Sequence, residues 1–274
     1  MPLPLEDLFN DVVAKSMRGL GLTDAALAEK AGVSAEAVAA AKSGTVDSAV
    51  LAKIAPHLQL HGPSLITMAG NGWRPAEVRL PGLAQFNTAY HDMTVNAYLV
   101  WDDKTRNAVA FDTGADAQPM LDFIRQHGLN LSLIFITHTH PDHILDLVKL
   151  SGDGAVTAFV NEKESCAGAR TFALGETDSW ESGGIQIAPR STWGHSKGGI
   201  TYVVTGLAQP VAVVGDALFA SSMGGGMVSY ADALATNRKE IFTLPDNTVI
   251  CPGHGPLTTV GEEKAHNPFY PEYK

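Results

Sequence analysis

Phe135-Ile136-Thr137-His138-Thr139-His140-Pro141-Asp142-His143 holds the densest cluster of metal-binding side chains in the sequence. Four side chains able to bind a metal, His138, His140, Asp142 and His143, fall within six positions. They follow the apolar run Leu131-Ser132-Leu133-Ile134-Phe135-Ile136, which reads as a buried strand. Pro141 cannot donate to a ladder and stops that strand. The donors therefore fall on a tight loop at a strand's C-terminal end, where open α/β sheets place their sites. Imidazole and carboxylate together suit zinc, iron or manganese better than calcium or magnesium.

A chain of 274 residues makes one large domain, or a large and a small one, and 45% hydrophobic residues supply a substantial core. A net charge of −10 argues against nucleic-acid or anionic-membrane binding over the whole surface. Cys166 and Cys251 form no disulfide framework and no zinc-ribbon spacing. The N-terminus lacks the pattern of a signal peptide, and no apolar run approaches the length of a membrane span. The expectation is a cytoplasmic protein.

The first 62 residues read as helices: Leu5–Gly19, a short helix capped by Thr23 and closed by Gly32, Ala35–Lys42 capped by Ser34, and about Ser48–Leu58. These small-residue and glycine positions resemble the helix-turn-helix of the Cro/phage-repressor family. The would-be recognition helix, Ala35-Glu36-Ala37-Val38-Ala39-Ala40-Ala41-Lys42, has no Arg, Asn or Gln to read a base edge. Five cations stand against seven acids in residues 1–62, a net of −2. That balance argues against DNA and for a packing or homodimerisation module. Residues 63–75, rich in glycine and proline, read as a linker, and 76–274 as the main domain.

From Val78 onward strands dominate. Thr94–Trp101 and Ala108–Phe111 form a hairpin, followed by Asp112-Thr113-Gly114 and a helix over about 117–127. A helix over 144–150 follows the histidine loop. Further strands are expected at 156–160, 184–188, 200–205, 211–215 and 247–251, with a helix near 228–242. Two sheets with helices outside, a four-layer α/β sandwich, fits this order.

Three more donors stand at strand ends beside glycine: His195 after Gly194, Asp216 after Gly215, and His254 between Gly253 and Gly255. Glycine lets the backbone turn sharply and approach an ion closely. The other histidines read as structural, with His91 the one that a hairpin could bring over the site.

In these residues the chain from about residue 69 resembles the metallo-β-lactamase-fold hydrolase superfamily. Its His-x-His-x-Asp-His motif stands here as His138-Thr139-His140-Pro141-Asp142-His143, followed by His195, Asp216 and His254. The resemblance implies a four-layer αββα sandwich and two divalent ions, zinc first, with iron or manganese as alternatives. One ion would take His138, His140 and His195. The other would take Asp142, His143 and His254, with Asp216 bridging and Asp142 counted also as catalytic.

Gly215-Asp216-Ala217-Leu218-Phe219 and the tail from Leu244 to Phe269 resemble the glyoxalase II-type (hydroxyacylglutathione hydrolase-type) thioester hydrolases. The implied reaction is attack of a metal-bridging hydroxide on the carbonyl of a small-molecule thioester. A thiolate leaves with little help from an acid, and no acid beyond the ligands stands out, although Tyr90, His91 and Tyr202 stay open. Where many relatives carry a Gly-Arg step, this chain reads Ser221-Ser222-Met223-Gly224-Gly225-Gly226-Met227, so the cation for a substrate carboxylate is missing. The alternatives are a lactonase, a persulfide dioxygenase-like enzyme with one iron on His138, His195 and Asp216, and a DNA-binding regulator with a metal-containing sensor domain.

Overall fold

The structure, a computed structural model, describes residues 3–175 and 179–274. Five helices open the chain: α1 (Phe9–Gly19), α2 (Asp24–Ala31), α3 (Ala35–Lys42), α4 (Ser48–Ile54) and α5 (Gly62–Ala69). Local chemistry sets their ends. Thr23 and Ser34 accept the Ala26 and Ala37 amides at 3.2 Å, and Gly32 closes α2 in the left-handed region. The first helix starts four residues later than its apolar spacing suggests. Asp7 is instead drawn into contacts with Lys15 and Ser222.

Residues 63–69, read from the sequence as the start of a linker, belong to helix α5, and this corrects the expectation. Pro63 stands in the first turn, where its missing N–H costs nothing, and the His61 ring accepts the Ser64 amide. Leu65 and Met68 are buried on its inner face, so the segment belongs to a core. The expected helix at 144–150 is likewise two pieces, α7 (Pro141–Ile144) and α8 (Leu147–Ser151), separated by the exposed Leu145.

Two six-stranded sheets follow. The first holds β1 (Leu83–Tyr90), β2 (Met93–Trp101), β3 (Asn107–Phe111), β4 (Asn130–Phe135), β5 (Thr157–Asn161) and β6 (Ala169–Phe172) in sequence order. β1–β3 pair antiparallel and β3–β6 parallel. The second sheet runs β12 (Thr258–Thr259), β11 (Val249–Pro252), β10 (Val211–Gly215), β9 (Ile200–Thr205), β8 (Ile185–Ser191) and β7 (Trp180–Ser182). Only β10 and β11 pair parallel in it. The expected strands are all present; β1, β6, β7 and β12 were not foreseen.

Alternation on the central strands builds the layers. On β10, Val211 and Val213 face the inter-sheet core, while Ala212 and Val214 join a second core outside the sheet. On β3, Val109 and Phe111 face inward, while Ala108 and Ala110 meet α6 (Gln118–Gln126) and α8. The outer core of the second sheet takes residues from α9 (Tyr230–Glu240) and α10 (Val260–His266). It also takes Val12, Met17, Leu27, Leu51 and Leu65 from the N-terminal helices. Each fully buried side chain of this size contributes about 1.5–3 kcal/mol. The helical segment therefore shares one continuous core with the sandwich, and the His61 amide bonds the Pro268 carbonyl at 2.8 Å across the junction. The architecture is the expected αββα sandwich. No helix among the described residues is long and apolar enough to cross a membrane.

Candidate metal centre

The parallel strands deliver the histidine loop. β4 ends at Phe135, the Thr137 carbonyl accepts the Ile200 amide at 3.0 Å, and Pro141 starts α7. The turn of α7 then presents Asp142 and His143. From the second sheet, Asp216 follows β10 and His254 follows β11, neighbours in parallel register, so both reach the same edge. His195 comes from the loop between β8 and β9, its Nδ1 hydrogen-bonded to the Gly225 carbonyl at 2.9 Å.

All seven sequence-predicted donors converge. His138, His140, His195 and Asp216 form one group, and Asp142, His143 and His254 a second, each with donor atoms within 4.8 Å of one another. His140 Nδ1 is 3.1 Å from His138 Nε2 and 3.0 Å from His195 Nε2. In the second group Asp142 Oδ2 lies 3.6 Å from His143 Nε2 and 3.4 Å from His254 Nε2. Asp216 spans them: Oδ2 is 3.3 Å from His195 Nε2 and Oδ1 is 3.3 Å from His143 Nε2. Such closeness needs a glycine at 253, where a Cβ would fall 2.1 Å from Asp216 Oδ1.

This set fits a pair of cations. A tetrahedral site with bonds of about 2.0–2.1 Å separates its ligands by roughly 3.3 Å, within the observed range. His143 Nε2 and Asp216 Oδ1 are buried without a hydrogen-bond partner, which is costly unless something else engages them. The outer nitrogens are meanwhile tied down. His143 Nδ1 meets Asp112 Oδ2 at 2.8 Å, His254 Nδ1 meets the Thr94 carbonyl at 2.7 Å, and His138 Nδ1 meets Thr137 Oγ1 at 3.1 Å. These contacts leave each Nε2 free to bind, the usual support of a metal-binding histidine.

The electrostatics differ between the rings. Burial holds His138 well below the ordinary imidazole range, reinforced by His143, so it stays neutral. Burial opposes charge on His143 too, but the Asp216 and Asp112 carboxylates prevail and raise it to about 10. His254 rises to about 11 for the same reason, chiefly through Asp216. Burial pushes the Asp216 carboxyl up, yet His254 and His143 hold it well below the usual carboxylate range.

Other residues singled out in the sequence take the following positions. Tyr202 lies in the inter-sheet core and donates to the Ile136 carbonyl at 3.0 Å, away from the donors. His91 is exposed at the β1–β2 turn against Tyr90, although the same hairpin reaches His254 through Thr94. Cys251 is buried and Cys166 partly so, both free.

Two residues that set the donors in place, Asp112 and Glu164, were not among those expected. Asp112 ends an apolar strand as Asp216 does, and that pattern was the available signal. Its Oδ1 accepts the Thr137 amide at 2.7 Å, which fixes the loop carrying the histidines. Glu164 binds the Thr139 hydroxyl and the Gly198 amide, clasping the loops of His140 and His195. Nothing local marks it.

An αββα sandwich with two adjoining His/Asp groups at one edge defines a candidate metal centre. The Metallo-beta-lactamase superfamily profile matches residues 92–254, and the chain belongs to that superfamily. It is 31% identical over 212 residues to a probable metallo-hydrolase of Streptococcus pyogenes, spanning 68% of this chain and 89% of that protein. Hydroxyacylglutathione hydrolase GloC of Haemophilus influenzae is 28% identical over 197 residues, 64% of this chain and 92% of the relative. The mitochondrial persulfide dioxygenase ETHE1 of Mus musculus is 31% identical over 186 residues, 62% of this chain and 69% of the relative. Among solved structures, BLEG-1 B3 metallo-beta-lactamase superposes with a TM-score of 0.59 at 27% identity, covering 68% of this chain and 98% of that one.

Proposed function

We propose that the protein is a dinuclear metal-dependent hydrolase of small-molecule thioesters. The observation that carries this reading is Asp216, whose two oxygens each lie 3.3 Å from a histidine nitrogen of a different donor group. A carboxylate so placed suits two adjoining cations. When bound, divalent ions such as zinc supply Lewis acidity to a carbonyl and, by lowering the pKa of water from about 15.7 to about 7, a nucleophile at neutral pH.

The chain's own contribution is positional. His138, His140 and His195 would hold the first ion, Asp142, His143 and His254 the second, with Asp216 between them. Asp112, Glu164 and the Thr94 carbonyl orient these ligands, and Asp142 would serve also as the catalytic carboxylate. A thiolate, with a pKa of about 8.5, leaves without a strong proton donor, which an alkoxide leaving group needs. The likeness to a hydroxyacylglutathione hydrolase supports the same substrate class.

A single-iron persulfide dioxygenase is the second reading, favoured by the ETHE1 relative and by the completeness of the first donor group alone. The fully formed second group, with Asp142, His143 and His254, speaks for the dinuclear centre. DNA binding finds little support: Lys42, the one cation of α3, is paired with Asp24 at 2.7 Å. The helix-turn-helix resemblance is better read as a retained packing module.

Metal stoichiometry on protein purified without added metal, paired with thioester, lactone and persulfide assays, tests the proposal. Two metals per chain with thioester turnover support it. One iron per chain with oxygen consumption sinks it, and lactone turnover alone overturns the substrate order.

A further inference from the structure

We propose that a cavity between α5 and α10, apart from the metal donors, binds a small uncharged planar heterocycle of nucleobase size. It measures about 210 Å³, and none of the seven donors lines it. Pockets for drug-sized molecules run to roughly 300–1,000 Å³, so the ligand that fits this one is small. The helical segment, the sandwich and the loop after β10 all contribute to its wall, through His61, Ser64, Thr67, Trp73, Ser221 and His266. The site does not depend on the thioester reading.

The lining defines the ligand. Ser221 is only 3% exposed, and its amide donates to Glu263 Oε2 at 3.0 Å. Its hydroxyl bonds nothing among the described residues and borders the cavity. A buried hydroxyl without a partner is costly, and a polar ligand atom would answer it. Beside it the Trp73 and His266 rings stack, with centroids 4.4 Å apart and planes 14° apart, which gives the cavity a flat aromatic side. Such a surface suits the face of a planar ring.

Charge is what the wall lacks: no Asp, Glu, Lys or Arg lines it among the described residues. His61 Nδ1 accepts the Ser64 amide at 3.3 Å and lies 2.8 Å from the Ser64 hydroxyl, so the ring's proton sits on Nε2, a donor. Burial, and after it the Lys274 ammonium, holds both His61 and His266 below the ordinary imidazole range. Glu262 opposes that at His266, but its carboxylate is engaged by the Ala76 amide at 2.8 Å and by Thr259. Neutral imidazoles and hydroxyls can both donate and accept, which matches the mixed edge of a heterocycle. An oxyanion would find no charged side chain in this wall.

The test is calorimetry on the whole chain with adenine, uracil and, as the charged control, inorganic phosphate. Submillimolar binding of at least one base with none of phosphate is the expected result. Trp73→Ala should weaken it about tenfold and Trp73→Phe should recover part of that, the pattern of a stacking wall. Ser221→Ala should weaken it about three- to tenfold at an unchanged melting temperature, because that hydroxyl has no partner in the protein to lose. Base affinities equal to wild type in Trp73→Ala and Ser221→Ala would put the ligand elsewhere and overturn the proposal. So would binding of neither base, or of phosphate alone. Calorimetry needs no turnover, so failure of the hydrolase reading leaves this result standing.

Discussion

Asp112 and His143 are joined by a buried contact of 2.8 Å between Oδ2 and Nδ1, and that contact turns Nε2 of the histidine toward Asp216. The same carboxylate accepts the Thr137 amide and hydroxyl, so one acid at the end of β3 sets both a ring and the loop before it. Replacing it with asparagine keeps the shape and removes the charge. Asp112→Asn is expected to weaken retention of one metal about 10–100-fold, read by competition with a chelator. Unchanged affinity for both ions would refute this role.

The two donor groups are expected to be separable by mutation. His254→Ala removes a donor from the second group only, and His195→Ala from the first only. Each variant should retain about one metal equivalent of two, while Asp216→Ala should lose affinity at both. Elemental analysis after gel filtration decides the matter. Loss of both ions in His254→Ala would show that the groups do not load independently.

Glu263 is buried among Ser221, Thr258 and Asn267, and burial raises its carboxyl to about 7 although hydrogen bonds from all three favour the charged form. The folded protein therefore keeps this proton up to about pH 7, whereas the unfolded chain releases it near 4.5. Between those values the folded state binds more protons. Stability from this group is full below the lower value and is lost as pH rises through the upper one, about 3 kcal/mol in all. Glutamine can keep the Ser221 and Asn267 contacts through its oxygen and donate to Thr258. Urea denaturation from pH 5 to 8 should show Glu263→Gln gaining on wild type as pH rises. A constant difference would contradict it.

Gly224 and Gly225 are adjacent yet unequal. A Cβ at Gly224 would fall 1.8 Å from the Asp216 carbonyl oxygen and 3.0 Å from His195 Nδ1. At Gly225 the nearest atom is Met227 Sδ at 3.4 Å. Gly224→Ala is expected to cost about 3 kcal/mol or more, and Gly225→Ala within about 0.5 kcal/mol. Comparable melting temperatures for the two variants would show that the loop yields.

The candidate site was legible because its donors announce themselves locally. Four lie on one loop, and His195, Asp216 and His254 each follow a glycine. The helical boundaries Ala35–Lys42 and the αββα order came from capping residues and apolar periods in the same way. Where the reading failed, local signals pointed wrongly. Pro63 looked like the start of a linker and stands in the first turn of a helix, because a proline is tolerated there and Leu65 and Met68 had a core to enter.

By itself, then, the sequence determined which side chains could bind metal and which segments could bury an apolar face, since both depend on neighbours a few positions apart. Tertiary structure alone decided three further matters. Asp112 meets His143 across 31 residues, Lys15 reaches Met223 across 208, and the N-terminal helices merge with the second sheet in one core. The reason is physical: spacing along a chain fixes contacts within a turn or a loop, while contacts between distant segments follow from how the layers stack.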